Sequence, residues 1–144
     1  MTTPARPLPV PDARSAPYWA ATARHELAIA RCARCDRFEI PPDSICSHCG
    51  TIDPAFRFEP VSGRGVVRSW TVVHRASLVG FTGEVPYLLV DVELAEQTGL
   101  RMIGRLLDGP DTALRDGVPV QVAFEDIAPG TAVPAFTLAL GGST

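Results

Sequence analysis

Lysine and asparagine are both missing from this 144-residue sequence, and all 13 basic side chains are arginine. Without lysine there is no lysine Schiff base, no lysine general base and no Walker-type phosphate lysine. Without asparagine there is no N-glycosylation acceptor. No apolar run approaches the ~20 residues that a membrane helix requires. The N-terminal stretch, with Pro4, Pro7, Pro9 and Pro11, lacks the apolar core of a signal peptide. Positive charge in excess is lacking too: the formal net charge is −3. That is the wrong sign for a protein whose affinity comes from neutralising phosphates.

Cysteine is scarce but ordered. The four present form two pairs, Cys32-Ala33-Arg34-Cys35 and Cys46-Ser47-His48-Cys49-Gly50. A two-residue gap lets a tight turn aim two sulfurs at one point and leaves backbone N–H groups free to donate to them. Two such knuckles supply the tetrahedral sulfur cage that suits one Zn²⁺ per chain. Four sulfurs fill the coordination shell, which makes the metal structural rather than catalytic. The same cage accepts iron, as in a rubredoxin-like electron carrier, and two disulfides are the remaining alternative, though nothing points to an oxidising compartment. Thiols reserved for a metal place the chain in the cytoplasm. Four thiolates and one Zn²⁺ would shift the formal charge from −3 to −5. His48, inside the second knuckle, is expected to be a turn residue, since the cage is complete without it.

Along the chain, residues 1–14 read as a disordered proline-rich arm that trails through solvent or lies on a partner. Ser15 and Pro17 mark a helix start, giving a short helix within 15–25. Its Tyr18 and Trp19 need cover, from this chain's own body or from another subunit. Alternation from Glu26 to Arg31 and a return leg at Phe38-Glu39-Ile40 give a zinc ribbon over 26–54. It is too small to fold by burial alone, so metal binding supplies much of its folding free energy. From 55 to 144 the pattern is strands only: Val66–Arg75, Tyr87–Leu94, Leu100–Leu106, a segment marked by Val118, Val120, Val122 and Phe124, and Ala135–Leu140. About five strands without a helix predict a mainly β chain ending in a small closed barrel, an OB-fold first and an SH3-like barrel second.

These residues resemble a known family. The helix with Pro17-Tyr18-Trp19 is followed by Arg31-Cys32-x-x-Cys35, Pro41-Pro42 and Cys46-x-x-Cys49-Gly50. Next come Val61-Ser62-Gly63-Arg64-Gly65, Ser69-Trp70-Thr71-Val72-Val73-His74-Arg75, Pro86-Tyr87 and Val122-Ala123-Phe124-Glu125-Asp126. This order is similar to the acyl-CoA-associated family of zinc ribbon plus OB-fold, once catalogued as domain-of-unknown-function family thirty-five. The likeness runs from about residue 15 onward. It implies a non-catalytic accessory subunit of a thiolase-superfamily protein: a thiolase, a hydroxymethylglutaryl-CoA synthase, an acyltransferase or an aldolase of sterol side-chain breakdown. The subunit would help bind or pass on acyl-CoA in lipid or steroid metabolism, with catalytic residues on the partner. Because such enzymes are commonly dimeric, a heterotetramer with two copies of each chain is expected.

The residues themselves agree that independent catalysis is poorly provided for. No cysteine is left over as a nucleophile, and a Ser-His-Asp trio using His74 with Ser69 or Ser77 has no motif behind it. A CoA site needs cations for three phosphates and an apolar slot. The candidates are Arg64, Arg68, His74, Arg75, Phe81, Arg101 and Arg105, with Ala76–Gly83 as an apolar loop. Tyr18, Trp19, Leu78 and Phe81 are the candidates for a partner interface. Single-stranded nucleic-acid binding is the alternative of another class. Acidic charge opposes it, and Trp70 is the one strand aromatic of stacking type.

Overall fold

The computed structural model describes residues 5–139. Leu140, expected at the end of the last strand, lies outside them, as does Pro4 of the arm. One helix and eight strands follow in order: α1 (Ala16–Ala23), β1 (Ala28–Arg31), β2 (Phe38–Glu39), β3 (Arg57–Pro60), β4 (Arg64–Val73), β5 (Tyr87–Leu94), β6 (Arg101–Leu106), β7 (Pro119–Ala128) and β8 (Thr131–Leu138).

The helix begins one residue before the expected Pro17. Ser15 occupies the N-cap position but its side chain caps nothing within the helix. The turn is held by Asp12 instead, whose carboxylate accepts from the N–H groups of Ser15 (2.8 Å) and Arg14 (3.1 Å). At the other end His25 takes the left-handed conformation, φ 59°, at a position where glycine usually closes a helix. Its ring stacks on Phe124 and its Nε2 lies 2.7 Å from Asp126, which ties the helix end to the barrel.

The ribbon sheet has the order β2-β1-β3, all antiparallel. Its third strand, Arg57–Pro60, was not foreseen. It lies beyond residue 54, where the sequence pattern placed the edge of the ribbon, and pairs with β1 through Ala28↔Pro60 to Arg31↔Arg57. The other five strands close a barrel in the order β4-β5-β6-β8-β7, with β7 returning to β4 and a single parallel contact between β6 and β8. This is the five-stranded OB-like barrel rather than the SH3-like alternative.

One hydrophobic core serves both units. Val67, Leu88, Val90, Val92, Leu94, Leu100, Met102, Leu106, Val120 and Phe136 fill the barrel, and Leu27, Ile29 and Phe38 join them from the ribbon. β5 alternates as its sequence predicts: Leu88, Val90, Val92 and Leu94 face inward. In β6, Met102 and Leu106 are buried while Arg101 is exposed and Arg105 half-buried. β4 stops at Val73, so His74 and Arg75 leave the strand for the loop that follows. β7 and β8 run longer than expected: β8 starts at Thr131 rather than Ala135, and Pro134 is a strand residue opposite Phe124.

The arm does not simply trail away. Arg6 donates to Glu84 (2.8 Å) and Glu125 (3.3 Å), and its guanidinium lies over Phe81 at 5.1 Å. Arg6 therefore straps the segment onto this chain's own barrel.

Steric room explains the Gly63-Arg64-Gly65 entry to β4. Gly63 has φ 77°, and a Cβ there would collide with Val122. A Cβ on Gly65 would lie 2.5 Å from the Glu93 carbonyl oxygen, a backbone atom that no rotamer change can move aside. Gly65→Ala is expected to destabilise the fold by about 2 kcal/mol through overpacking, measured as a lowered midpoint in chemical denaturation with an unchanged slope.

Candidate functional site

The two knuckles bring all four cysteine sulfurs within 4.8 Å of one another. Cys32 Sγ and Cys49 Sγ are 3.9 Å apart, and Cys35 Sγ and Cys46 Sγ are 3.7 Å apart. A disulfide requires about 2.05 Å, and all four thiols are free. A zinc–sulfur bond of about 2.3 Å gives a tetrahedral edge near 3.8 Å, so the spacing fits the metal. In each knuckle the second backbone N–H donates to the first sulfur: Arg34 to Cys32 and His48 to Cys46, both at 3.4 Å. Cys49 also meets the Thr51 hydroxyl at 3.1 Å, and that contact leads the causes that bring its thiol down to about 6. Cys35 stays protonated up to about 12: the Arg37 N–H favours its thiolate, but burial and the neighbouring sulfurs outweigh it. So closely packed a set can ionise throughout only with a cation at its centre.

Side chains beyond the cysteines hold the second knuckle. Glu39 is buried and accepts both from the Ser47 backbone N–H (2.7 Å) and from the Ser47 hydroxyl. His48 turns away from the cage, with Nε2 3.2 Å from the Phe38 carbonyl. The sequence offered no sign of Glu39, because a glutamate on a two-residue strand reads as solvent-facing.

The arginines expected near CoA prove to be divided. Arg68 bridges Glu93 (2.8 Å) and Asp116 (3.1 Å). Arg101 grips Asp91 with two nitrogens, at 3.1 and 2.8 Å. Arg105 pairs with Glu84 at 2.9 Å and lies over Tyr87. The hydrogen bond from Arg105, then that from Arg6, holds the Glu84 carboxyl below its ordinary range. Arg64 and Arg75 are exposed and form no ion pair among the described residues. Arg64 is the first residue of β4 and Arg75 lies two residues beyond its last, Val73. Phe81 is half-buried between Arg6 and Tyr87. His74 is exposed and forms no hydrogen bond with another described residue. Asp91, the carboxylate 3.5 Å from the Ser69 hydroxyl, is already held by Arg101, and Glu93 by Arg68.

Apolar surface is concentrated elsewhere. A cavity of about 200 Å³ lies between α1 and the ribbon, lined by Tyr18, Trp19, Ile29, Ile40, Pro41 and Phe58 among others. Tyr18, Ile29, Ile40 and Pro41 also line a second groove, whose far wall is Asp91, Arg101, Met102 and Ile103 of the barrel. Asp91 and Ile103 continue into a third hollow beside Trp70 and Leu89. The three form one trough from helix to barrel. Ile103 is 67% exposed and Trp70 43%. Tyr18 packs on the shared core, and burial pushes its hydroxyl up to about 12. Trp19 is half-buried and stands edge-on to Tyr18 at 4.9 Å. Leu78 and Val79 form a separate apolar tip, 61% and 62% exposed. No helix among the described residues is long and apolar enough to cross a membrane.

Comparison with known proteins agrees with this architecture. Residues 19–52 match the family model described as the rubredoxin-like zinc ribbon domain of ChsH2, and residues 58–125 that of the ChsH2 C-terminal OB-fold domain. Among solved structures, a chain of the Ltp2–ChsH2(DUF35) aldolase is 30% identical, with a TM-score of 0.78, covering 92% of this chain and 99% of that one. A DUF35-family protein of unknown function from Sulfolobus solfataricus is 12% identical with a TM-score of 0.57, covering 88% of this chain and 86% of that one, and shares the fold. A comparison with curated proteins finds no match. The sulfur geometry and the ribbon match together make the cage a structural zinc site.

Elemental analysis of freshly purified protein is expected to find one zinc per chain, and mass spectrometry no intramolecular disulfide. Cys46→Ala should unfold the ribbon and lower soluble yield, because metal binding and folding are coupled.

Proposed function

The chain belongs to the ChsH2 family of paired zinc-ribbon and OB-fold domains, and on that premise we propose that it is an accessory subunit of a thiolase-superfamily partner. The observation that carries this reading is the 30% identity over 92% of the chain to a component of an aldolase complex. The uncovered apolar trough supports it physically, since aromatic residues in such hollows are frequent interface anchors. Trp19 and the helix dock on the partner, with Leu78 at the loop tip as a second contact. The assembly holds two copies of each chain and works in the cytoplasm, in the metabolism of lipid or steroid acyl groups.

Within that assembly the chain helps bind or pass on acyl-CoA. Of the candidate cations, Arg64 and Arg75 are best placed to meet a phosphate. Arg68, Arg101 and Arg105 would first have to leave a carboxylate. Phe81, stacked under Arg6, shapes the loop rather than gripping a ligand. The reacting groups lie on the partner, so the isolated chain should neither cleave, thiolyse nor hydrolyse acyl-CoA. Turnover that persists through fractionation of the pure chain and vanishes in His74→Ala would overturn this.

The assembly itself is tested by size-exclusion chromatography with light scattering on the chain and its co-purifying partner. Trp19→Ala is expected to weaken association by about 2 kcal/mol, roughly thirtyfold, as loss of an aromatic anchor does, with zinc content unchanged. Wild-type affinity in that variant would move the interface to Leu78–Phe81.

A further inference from the structure

Hydrophobic contact holds the ribbon to the barrel, but such contact is non-directional and does not fix an angle. Directional links cross between them as well: the Val61 N–H donates to the Leu27 carbonyl at 2.9 Å and the Ser62 N–H to Glu96 at 2.8 Å, and one further link reaches β2 beside the second knuckle. Gln97, in the loop between β5 and β6, accepts from the Phe38 backbone N–H with Oε1 at 2.8 Å and donates from Nε2 to the Phe38 carbonyl at 2.9 Å. The side-chain amide thus pairs with β2 as a neighbouring strand would, satisfying both backbone groups of one residue. The same carbonyl lies 3.2 Å from His48 Nε2 in the second zinc knuckle. The Phe38 ring enters the shared core, beneath the Arg31 guanidinium at 4.8 Å.

Both partners lie close in sequence to the trough. Phe38 precedes Ile40 and Pro41, which line its ribbon side, and Gln97 precedes Arg101 and Met102, which line its barrel side. The two walls are therefore pinned to each other at one end through the Gln97 amide, which grips β2 itself, while the neighbouring Glu96 holds only the Ser62 N–H at the ribbon's exit. We infer that Gln97 is a positioning residue that sets the angle between zinc ribbon and barrel and so gives the trough one shape. The inference rests on the proposed accessory role only in what the trough receives; the angle itself is a property of the chain alone.

The test uses the full-length, zinc-loaded chain without a partner, so its result is independent of whether an acyltransferase-like or aldolase-like subunit binds. In the wild type, residual dipolar couplings from ribbon and barrel should fit one alignment tensor, and the Phe38 amide should exchange slowly. Gln97→Ala should speed exchange of the Phe38 amide at least tenfold and separate the ribbon's tensor from the barrel's, with one zinc per chain retained. Gln97→Glu keeps the acceptor for the Phe38 N–H but loses the donor to its carbonyl, and should fall between the two. A Gln97→Ala protein whose couplings still fit a single tensor, or whose Phe38 amide exchanges within twofold of wild type, would overturn the inference. Should the tensors separate while assembly with the co-purified partner keeps its affinity, Gln97 would stand as the positioning residue, and it is the docking role of the trough that would fall.

Discussion

A ribbon of about thirty residues has too little interior to hold its own shape, and every other feature of this chain depends on how that deficit is met. A segment this small buries too small a fraction of its surface to repay the entropy of ordering its backbone. Two supports act from opposite ends. At the tip, four sulfurs within 4.8 Å convert metal affinity into folding free energy. At the base, Leu27, Ile29 and Phe38 are lent to the barrel's core, so that their burial is counted in a larger interior. β3 then closes the ribbon from the far side and leads directly into the glycine entry to β4.

The absence of lysine bears on the surface in a way that composition alone does not reveal. Arginine's planar fork suits bidentate pairing with carboxylates, and the strand register decides which arginines are so used. Arg101 lies directly opposite Glu93 in the β5–β6 ladder, yet its two short contacts go diagonally to Asp91. Glu93 is taken by Arg68 and by the Gly99 N–H. A cation on a barrel strand is thus evidence for a phosphate site only once its cross-strand carboxylates have been located.

Legibility followed the range of the interactions. The zinc cage was readable because ligand spacing is local, and β5 because alternation of Leu88, Val90, Val92 and Leu94 is a local pattern imposed by one buried face. β3 was not readable: Phe56, Arg57, Phe58 and Glu59 alternate over too short a run to stand apart from a loop, and the strand exists through pairing with residues about thirty positions earlier. Gly65 is a strand residue, its lack of a Cβ required by the Glu93 carbonyl on the neighbouring strand, which only tertiary folding brings near. Glu39 and Gln97 were invisible for the same reason, since each owes its role to a backbone group that only tertiary folding brings near. The family resemblance supplied an expected partner where the residues alone supplied only an apolar helix.

The trough shows how these scales combine. Its walls come from α1, the ribbon and three barrel strands, segments separated by up to about eighty residues, so no local pattern announces it. The elements behind those walls are each held by something specific. The helix end is fixed by His25 on Asp126 and Phe124. The ribbon is fixed by the cysteine cage and by Glu39 beneath the second knuckle. The barrel wall is fixed by the Arg101–Asp91 pair. The cage, closed to ligands by its own four sulfurs, acts on the trough at a distance: the His48 within it meets the Phe38 carbonyl, and two residues further on Ile40 becomes wall. A metal that touches no substrate can in this way still determine the shape of the surface the chain offers to a partner.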